Sequence, residues 1–392
     1  MRKFLFSQEF SKLFNIKNLL IIFTFLVAKI LLSYATFAPA DDWVYRDYME
    51  RLSGAYTQEK EDMLREEQER FNEIIEMQEG MRRQYTTGVI DKQGYDGYTR
   101  LLADATAKSK ALPHALSRLE YAKNRDREAA LLQAQKEGAL LSGDRETARR
   151  AELQLRGYEP RAELFYDAGW NQYLGANRLD ALLYVLLPIL FVPLFVRDFE
   201  SGTMALIDTS RHGKLSKTLR TTLMLASSMV LALIFWGIDI AAAATRLLLP
   251  SGNAPIQSLA HFGDFSGMLR LSDMVWVSLL FQLLGTAFLM MFLFWIIQAV
   301  KRSISVAIIY FSVTFLPYLD RYATGILPPA LRRLLPAHLL SGVGLFADAE
   351  VYSVLGIHFG STGLTVIIYL LWTVFFMIVC IRPRRTGGLR EL

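Results

Sequence analysis

The sequence predicts an all-α polytopic membrane protein, with six transmembrane helices and a large helical hairpin or bundle inserted between spans 1 and 2. Three observations predict it. Hydrophobic residues make up 52% of the 392-residue chain, and mean hydropathy is positive at +0.24. These residues gather in six runs, roughly 18–38, 179–196, 221–244, 274–300, 304–319 and 361–381, near the about 20 residues a helix needs to span a hydrocarbon core. Between the first two runs lies a charge-dense stretch whose apolar positions recur at helical spacing. The chain accordingly divides into 1–38 (N-terminus and span 1), 39–178 (an extracytoplasmic helical domain) and 179–392 (spans 2–6, a polar segment at about 197–220, and the tail).

The first run follows Arg2, Lys3, Lys12 and Lys17 and ends at Ala38-Pro39-Ala40, features shared with a cleavable signal peptide. The leader is long for such a peptide, the run approaches full spanning length, and Pro39 hinders cleavage, so an uncleaved span is the reading adopted.

Residues 41–157 carry more than half of all charges, in near balance. Met49, Leu52, Tyr56, Met63, Leu64, Phe71, Ile74, Ile75, Met81 and Tyr85 recur every three, four or seven residues, one apolar stripe on a charged helix. Gly88, Gly94 and Gly97 in 86–98 read as a turn. A second helix is expected to about Lys110, a third from Pro113 to about Lys136, a break at Gly138 and Gly143, and a short helix over about 144–156. This region is either a solvated hairpin without a ligand or a recognition module for a partner or substrate.

The fifth run is short and is expected to end at Pro317; "ALRRLLPAHLL" (330–340) in the following loop reads as amphipathic and interfacial. Short segments rich in Lys and Arg stay in the cytoplasm. The leader, the 197–220 segment (Arg197, Arg211, Lys214, Lys217, Arg220), the 301–303 turn (Lys301, Arg302) and the tail (Arg382, Arg384, Arg385, Arg390) all carry that excess. Placing them inside gives six spans with both termini cytoplasmic. The net charge of +5 then belongs to topology and not to nucleic-acid binding. Cys380 is the single cysteine and the five histidines are scattered, so neither a disulfide nor a metal site is expected, and no catalytic constellation is visible.

Polar residues interrupt the spans: Lys29 near the middle of the first, Asp239 towards the outer end of the third, and Gln282 and Gln298 in the fourth. They either line a polar cavity, or Lys29 snorkels and Asp239 sits among headgroups. Their unmatched depths favour the second reading.

The segment after span 2 is the most patterned of the polar stretches. Phe199, Thr203, Leu206 and Ile207 fall at helical spacing, Asp198 and Glu200 suit a helix start, and His212-Gly213-Lys214 reads as its stop. Gly202 would admit a close backbone. A short amphipathic helix beside the inner leaflet is expected.

"FVRDFESG" (195–202) followed by "LIDTSRHGKLSK" (206–217) resembles the membrane subunit of type-2 ABC transporters. "TTGVIDKQGYDGYTRLL" (86–102), "LFYDAGWNQYLG" (164–175) and "VYSVLGIHFGSTGL" (351–364) are similar to a Gram-positive-type subgroup with a helical insert. The likeness spans nearly the whole chain. It departs from the family where Lys214, not arginine, follows the turn glycine, and Arg220 stands near a lysine position. The resemblance implies a non-enzymatic permease in the bacterial cytoplasmic membrane. It also implies a homodimer or heterodimer of permeases among membrane lipids, and export of an amphipathic substrate: a peptide, lipid-linked molecule or drug. ATP and Mg would be bound by a separate ABC ATPase, because the chain has no GxxxxGK[ST] pattern. Asp198, Phe199, Glu200, Gly202, Leu206, Thr209, Gly213 and Lys214 would belong to the coupling contact with that ATPase. The alternative is a membrane sensor or immunity protein whose outer domain binds a ligand or partner without transport.

Overall fold

The computed structural model describes residues 10–39, 42–155, 158, 161–175, 180–203, 213–263, 265, 267–322, 351–354 and 357–381. They are mostly helical. The elements are α1 (Ile16–Thr36), α2 (Trp43–Arg51), β1 (Gly54–Ala55), α3 (Gln58–Glu76), α4 (Gln78–Thr86), α5 (Lys92–Leu141), α6 (Arg145–Leu155), β2 (Glu163–Leu164) and α7 (Ala168–Gly175). There follow α8 (Ala181–Glu200), α9 (Gly213–Arg246), α10 (Leu271–Val300), α11 (Ser303–Tyr322), β3 (Val351–Val354), β4 (Ile357–Gly360) and α12 (Ser361–Ile381). Each of the six apolar runs falls on a helix. Among the described residues, four helices are long and apolar enough to cross a membrane: α1, α8, α9 over Thr218–Arg246, and α10. The apolar parts of α11 and α12 are shorter, Ser303–Phe315 and Thr365–Cys380.

The chain groups into two units. One comprises 1–38, 176–246 and 275–392; the other comprises 39–175 together with 247–274. In the first unit α1 packs on α8 and α9, and α8 also packs on α11. α8 buries both its sides (Leu183, Leu187, Leu190, Phe191 and Val196 are almost fully covered) and carries Pro188 and Pro193 without ending. Trp236 and Trp276 pack on each other with centroids 5.8 Å apart, and the Trp236 indole donates to Ser278 Oγ at 3.1 Å. α11 continues through Pro317 instead of stopping there.

The second unit has its own core: Met49, Leu52, Leu64, Leu112, Ala115 and Leu119 are covered, with Phe71 and Leu164 beside them. The predicted stripe therefore holds as far as Ile74, which packs against this core, but not into α4, where no residue is buried and Tyr85 instead stacks on Tyr95 at 4.4 Å. The expected break between a second and a third helix is absent. α5 runs 50 residues through Pro113, about 75 Å at 1.5 Å per residue. Proline in a helix interior costs about 3 kcal/mol, and the buried Ala111, Leu112 and Ala115 on either side hold the helix together across it. Gly94 and Gly97 lie inside α5. The turn ends earlier, where Asp91 caps the helix by accepting from the Gly94 amide at 2.8 Å. Gly143, with φ +79°, follows the C-terminus of α5, whereas Gly138 is helical.

The unit is discontinuous in sequence. β1 pairs antiparallel with β2, and the 247–274 segment joins through the Trp170 indole, which donates to the Pro250 carbonyl at 2.6 Å. Gly169 is required here: a Cβ would overlap the Leu248 carbonyl. Tyr121 donates to the Gln257 carbonyl at 2.7 Å, and Arg125 donates to the Gly263 carbonyl.

Glu61 is a buried carboxylate in the same unit, accepting from Lys123 at 2.9 Å, Tyr56 at 2.7 Å and Arg65 at 2.8 Å. The Lys123 hydrogen bond, then those of Tyr56 and Arg65, hold its pKa down to about 2, against 4.5 for a free glutamate. A depressed pKa contributes stability that is full above 4.5 and is lost as pH falls from there towards 2. Glu61→Gln should cost about 1–3 kcal/mol at neutral pH. It should also flatten the acid limb when thermal unfolding of the full chain is followed by protease susceptibility of α3. An unchanged acid limb would show that Glu61 contributes nothing there.

Candidate functional site

The polar residues of the apolar helices converge. Lys29 is buried on α1, one helical turn from Ser33. Asp180 caps the N-terminus of α8, accepting from the Leu183 amide at 3.4 Å. Asp239 lies on α9 and Gln282 on α10. The Lys29 ammonium donates to Asp180 Oδ2 at 2.9 Å and to Asp239 Oδ2 at 2.7 Å. Ser33 Oγ donates to Asp239 Oδ1 at 2.6 Å, and Gln282 Nε2 donates to Asp180 Oδ2 at 3.3 Å. The Phe235 ring lies 5.8 Å from Lys29 Nζ. One ammonium thus faces two carboxyl groups, and the cluster joins α1, α8, α9 and α10.

This arrangement differs from the expectation that Lys29 reaches away to the surface and Asp239 sits alone among headgroups. Unmatched depths along separate helices do not prevent contact, because a lysine side chain is long enough to bridge the offset. Asp180 and Ser33 are the members that sequence reasoning misses. The signal for Asp180 is an acidic residue at the head of an apolar run, where it both caps a helix and meets a buried cation.

The segment after α8 is built differently from its sequence expectation. Asp198, Phe199 and Glu200 form the last turn of α8, not the start of a separate helix. Carboxylates there face the negative end of the helix dipole, which is unfavourable. For Asp198 the penalty is offset by buried Arg220 on α9, whose Nη1 donates to Asp198 Oδ2 at 2.6 Å. Glu200 is exposed. Gly202 ends α8: its φ is +71°, and its amide donates to the Phe199 carbonyl at 3.2 Å. Among the described residues nothing lies within 4 Å of where its Cβ would stand, and the positive φ by itself calls for glycine. Thr203 is helical again. Gly213 and Lys214 open α9, and His212 lies outside the described residues. Leu206 and Thr209 lie outside the described residues, as does the amphipathic 330–340 stretch. Across the neighbouring turn, the Lys301 ammonium lies 6.0 Å from the Phe199 ring centroid.

In the second unit, a cavity of about 670 Å3 is lined by Trp43, Tyr45, His114, Arg118 and Asp167, among others. Asp167 is buried and fully engaged: Tyr45 donates to it at 2.7 Å, Asn171 at 2.8 Å, and Arg118 Nε lies at 3.1 Å. Burial, then the Asp167 charge, push the Tyr45 phenol far above its usual value, so it remains a hydrogen-bond donor. A second cavity, of about 770 Å3, lies beside β1 and β2.

No family model matches the chain, and neither a curated protein nor a solved structure matches it.

Proposed function

We propose that this chain is the permease subunit of a type-2 ABC transporter, working as a dimer and driven by a separate ATPase chain to export an amphipathic substrate. The observation that carries the reading is the junction of α8 and α9. Two helices long enough to cross a membrane are clamped together by Arg220 and Asp198 at the point where a patterned polar segment leaves between them. A push on that segment moves both helices as one body. The same two helices meet the Lys29 cluster through Asp180 and Asp239, so the push reaches α1 as well. In this reading the six apolar helices all span, both termini and the 197–220 segment are cytoplasmic, and the 39–178 region is outside. The exposed Glu200 and the residues that follow it present the contact to the ATPase, which holds ATP and Mg.

The test uses the tagged full-length chain. An ATPase should co-purify, and Glu200→Arg should lower its recovery by at least about fivefold, the loss of one charge-assisted contact. Glu200→Arg places a cation at the negative end of a helix dipole, so it does not itself disfavour the fold. A Gly202 substitution is unsuitable, because a side chain strains the positive φ whatever the partner does. In a Cys380→Ser background, a cysteine at Ser53 should react with an impermeant reagent in intact cells and one at Ser201 should not. Recovery of the ATPase unchanged by Glu200→Arg refutes the coupling contact, and the opposite labelling pattern refutes the topology. The cavities of the second unit favour one rival, a membrane sensor that binds a ligand without transport. Absence of any co-purifying ATPase would select it.

A further inference from the structure

The Lys29 cluster lies wholly within the first unit and holds its titratable groups in unequal number. Among the described residues, Lys29, Asp180 and Asp239 are the charged groups that meet there. Their other neighbours, Ser33 on α1, Phe235 on α9 and Gln282 on α10, carry no charge. The next cation along α9 is Arg246, two turns beyond Asp239 and about 10 Å along the axis, and it donates to the Phe37 carbonyl at 3.2 Å. Fully ionised, the cluster would set two carboxylates against one ammonium. An unmatched charge among apolar helices is costly, and two carboxyl groups that share one site resist ionising together. With one proton added the cluster is neutral: one ammonium, one carboxylate and one carboxylic acid.

The two carboxyl groups are not equivalent. Both oxygens of Asp239 accept short hydrogen bonds, Oδ2 from Lys29 at 2.7 Å and Oδ1 from Ser33 at 2.6 Å. On Asp180, Lys29 and Gln282 share Oδ2, while Oδ1 accepts from the Leu183 amide at a long 3.4 Å. Donors support the ionised form of a carboxyl group, and Asp239 has the better set. Asp180 is also the more enclosed, with its side chain 8% exposed against 19% for Asp239. Oδ1 of Asp180 is therefore the oxygen with room for a proton. A further polar group lies on the same face of α10: Thr286, one helical turn beyond Gln282, is fully buried, and its Oγ1 has no partner among the described residues. Interior water is retained at such groups, and water is the proton donor that exchange requires.

We propose that the cluster is a proton-binding site, in which Asp180 Oδ1 takes one proton from water and returns it while Lys29 and Asp239 stay paired as ions. The only bond made in the protein is the O–H bond of the acid, and the water that supplies the proton leaves as hydroxide. Uptake turns one of the two ion pairs of Lys29 into a hydrogen bond to a neutral acid, so the hold of α8 on α1 loosens while that of α9 remains. The site requires neither transport nor an ATPase, so its failure and the failure of the permease reading are separate results.

Infrared spectroscopy of the full-length chain in lipid nanodiscs tests it through the carbonyl stretch of protonated carboxyl groups. As pH falls from about 9 to about 5, a range in which free aspartate stays largely ionised, the wild type should gain the band of a single carboxylic acid. That band should shift in heavy water. Asp180→Asn should lose it because the acid is gone. Asp239→Asn should lose it as well, because one ammonium then matches one carboxylate and no proton is called for. Each variant keeps a balanced pair, and asparagine can still cap α8 or accept from Ser33, so both should elute in size-exclusion chromatography as the wild type does. Asp96→Asn, an exposed change on α5, should leave the band in place. A wild type without the band, a band that persists in either cluster variant, or its loss in Asp96→Asn would each overturn the proposal.

Discussion

Lys29→Met should destabilise the helices around α1 by about 3–5 kcal/mol, the usual consequence of removing one partner from a buried ion pair. Two carboxylates, Asp180 and Asp239, would remain in an apolar setting with one hydroxyl and one amide between them. The full-length variant, extracted in mild detergent, should aggregate at temperatures that the wild type tolerates, as read by size-exclusion chromatography after a heat step. The triple variant Lys29→Met/Asp180→Asn/Asp239→Asn should recover most of the loss. It removes all three charges together, while an asparagine in place of Asp180 can still cap α8 and one in place of Asp239 can still accept from Ser33. A single variant as stable as the wild type would mean that the cluster does not hold α1 in place. A triple variant no better than the single would mean that the charges matter for more than neutralising each other.

Arg118→Met should have the second largest effect, at about 3–4 kcal/mol, again on the scale of a broken buried pair. Arg118 is 8% exposed. Its Nε lies 3.1 Å from Asp167, its Nη2 donates to the Ser258 carbonyl, and its guanidinium sits 5.5 Å from the Tyr121 ring centroid. Methionine fills similar volume, so the loss is one of charge and hydrogen bonds rather than of space. Asp167 keeps Tyr45 and Asn171, but Ser258 loses its link to α5. Hydrogen exchange on the intact protein should therefore quicken over residues 254–263 before it quickens in α3 or α5. Uniform acceleration across the unit, or none, would show that Arg118 is not what ties this segment down.

The helices were legible wherever one physical signal dominated. Long apolar runs mark α1, α8, α9 and α10 because nothing but a helix satisfies the backbone of such a run in lipid. Leu52, Leu64 and Phe71 were legible as core because their spacing matches one helix face. The local signals that failed were overridden by tertiary contact. Pro113 reads as a boundary, yet α5 passes through it between buried neighbours. Gly202 reads as a site of close approach inside a helix, yet its positive φ ends α8. The Lys29 cluster was half legible: three of its members stood out as polar residues in apolar runs. Their meeting did not stand out, because pairings separated by 151 and 210 residues leave no local pattern. The contribution of 247–274 to the second unit was invisible for the same reason. That segment lies between two apolar runs, and its partners Arg118, Tyr121, Arg125 and Trp170 are remote in sequence.

The division of that unit into 39–175 and 247–274 has a consequence for biosynthesis. When Gly175 leaves the ribosome, the fold it belongs to still lacks its last piece. Roughly 100 further residues, carrying α8 and α9, must be made before Met274 emerges, which takes about 5–20 s at 5–20 residues per second. During that interval Trp170 has no Pro250 carbonyl to bond, and Arg118 has no Ser258. The unit cannot mature first and wait for the membrane helices. Its completion is timed by their insertion, so a stall while α8 or α9 is being synthesised would leave an unfinished nascent domain exposed to proteases.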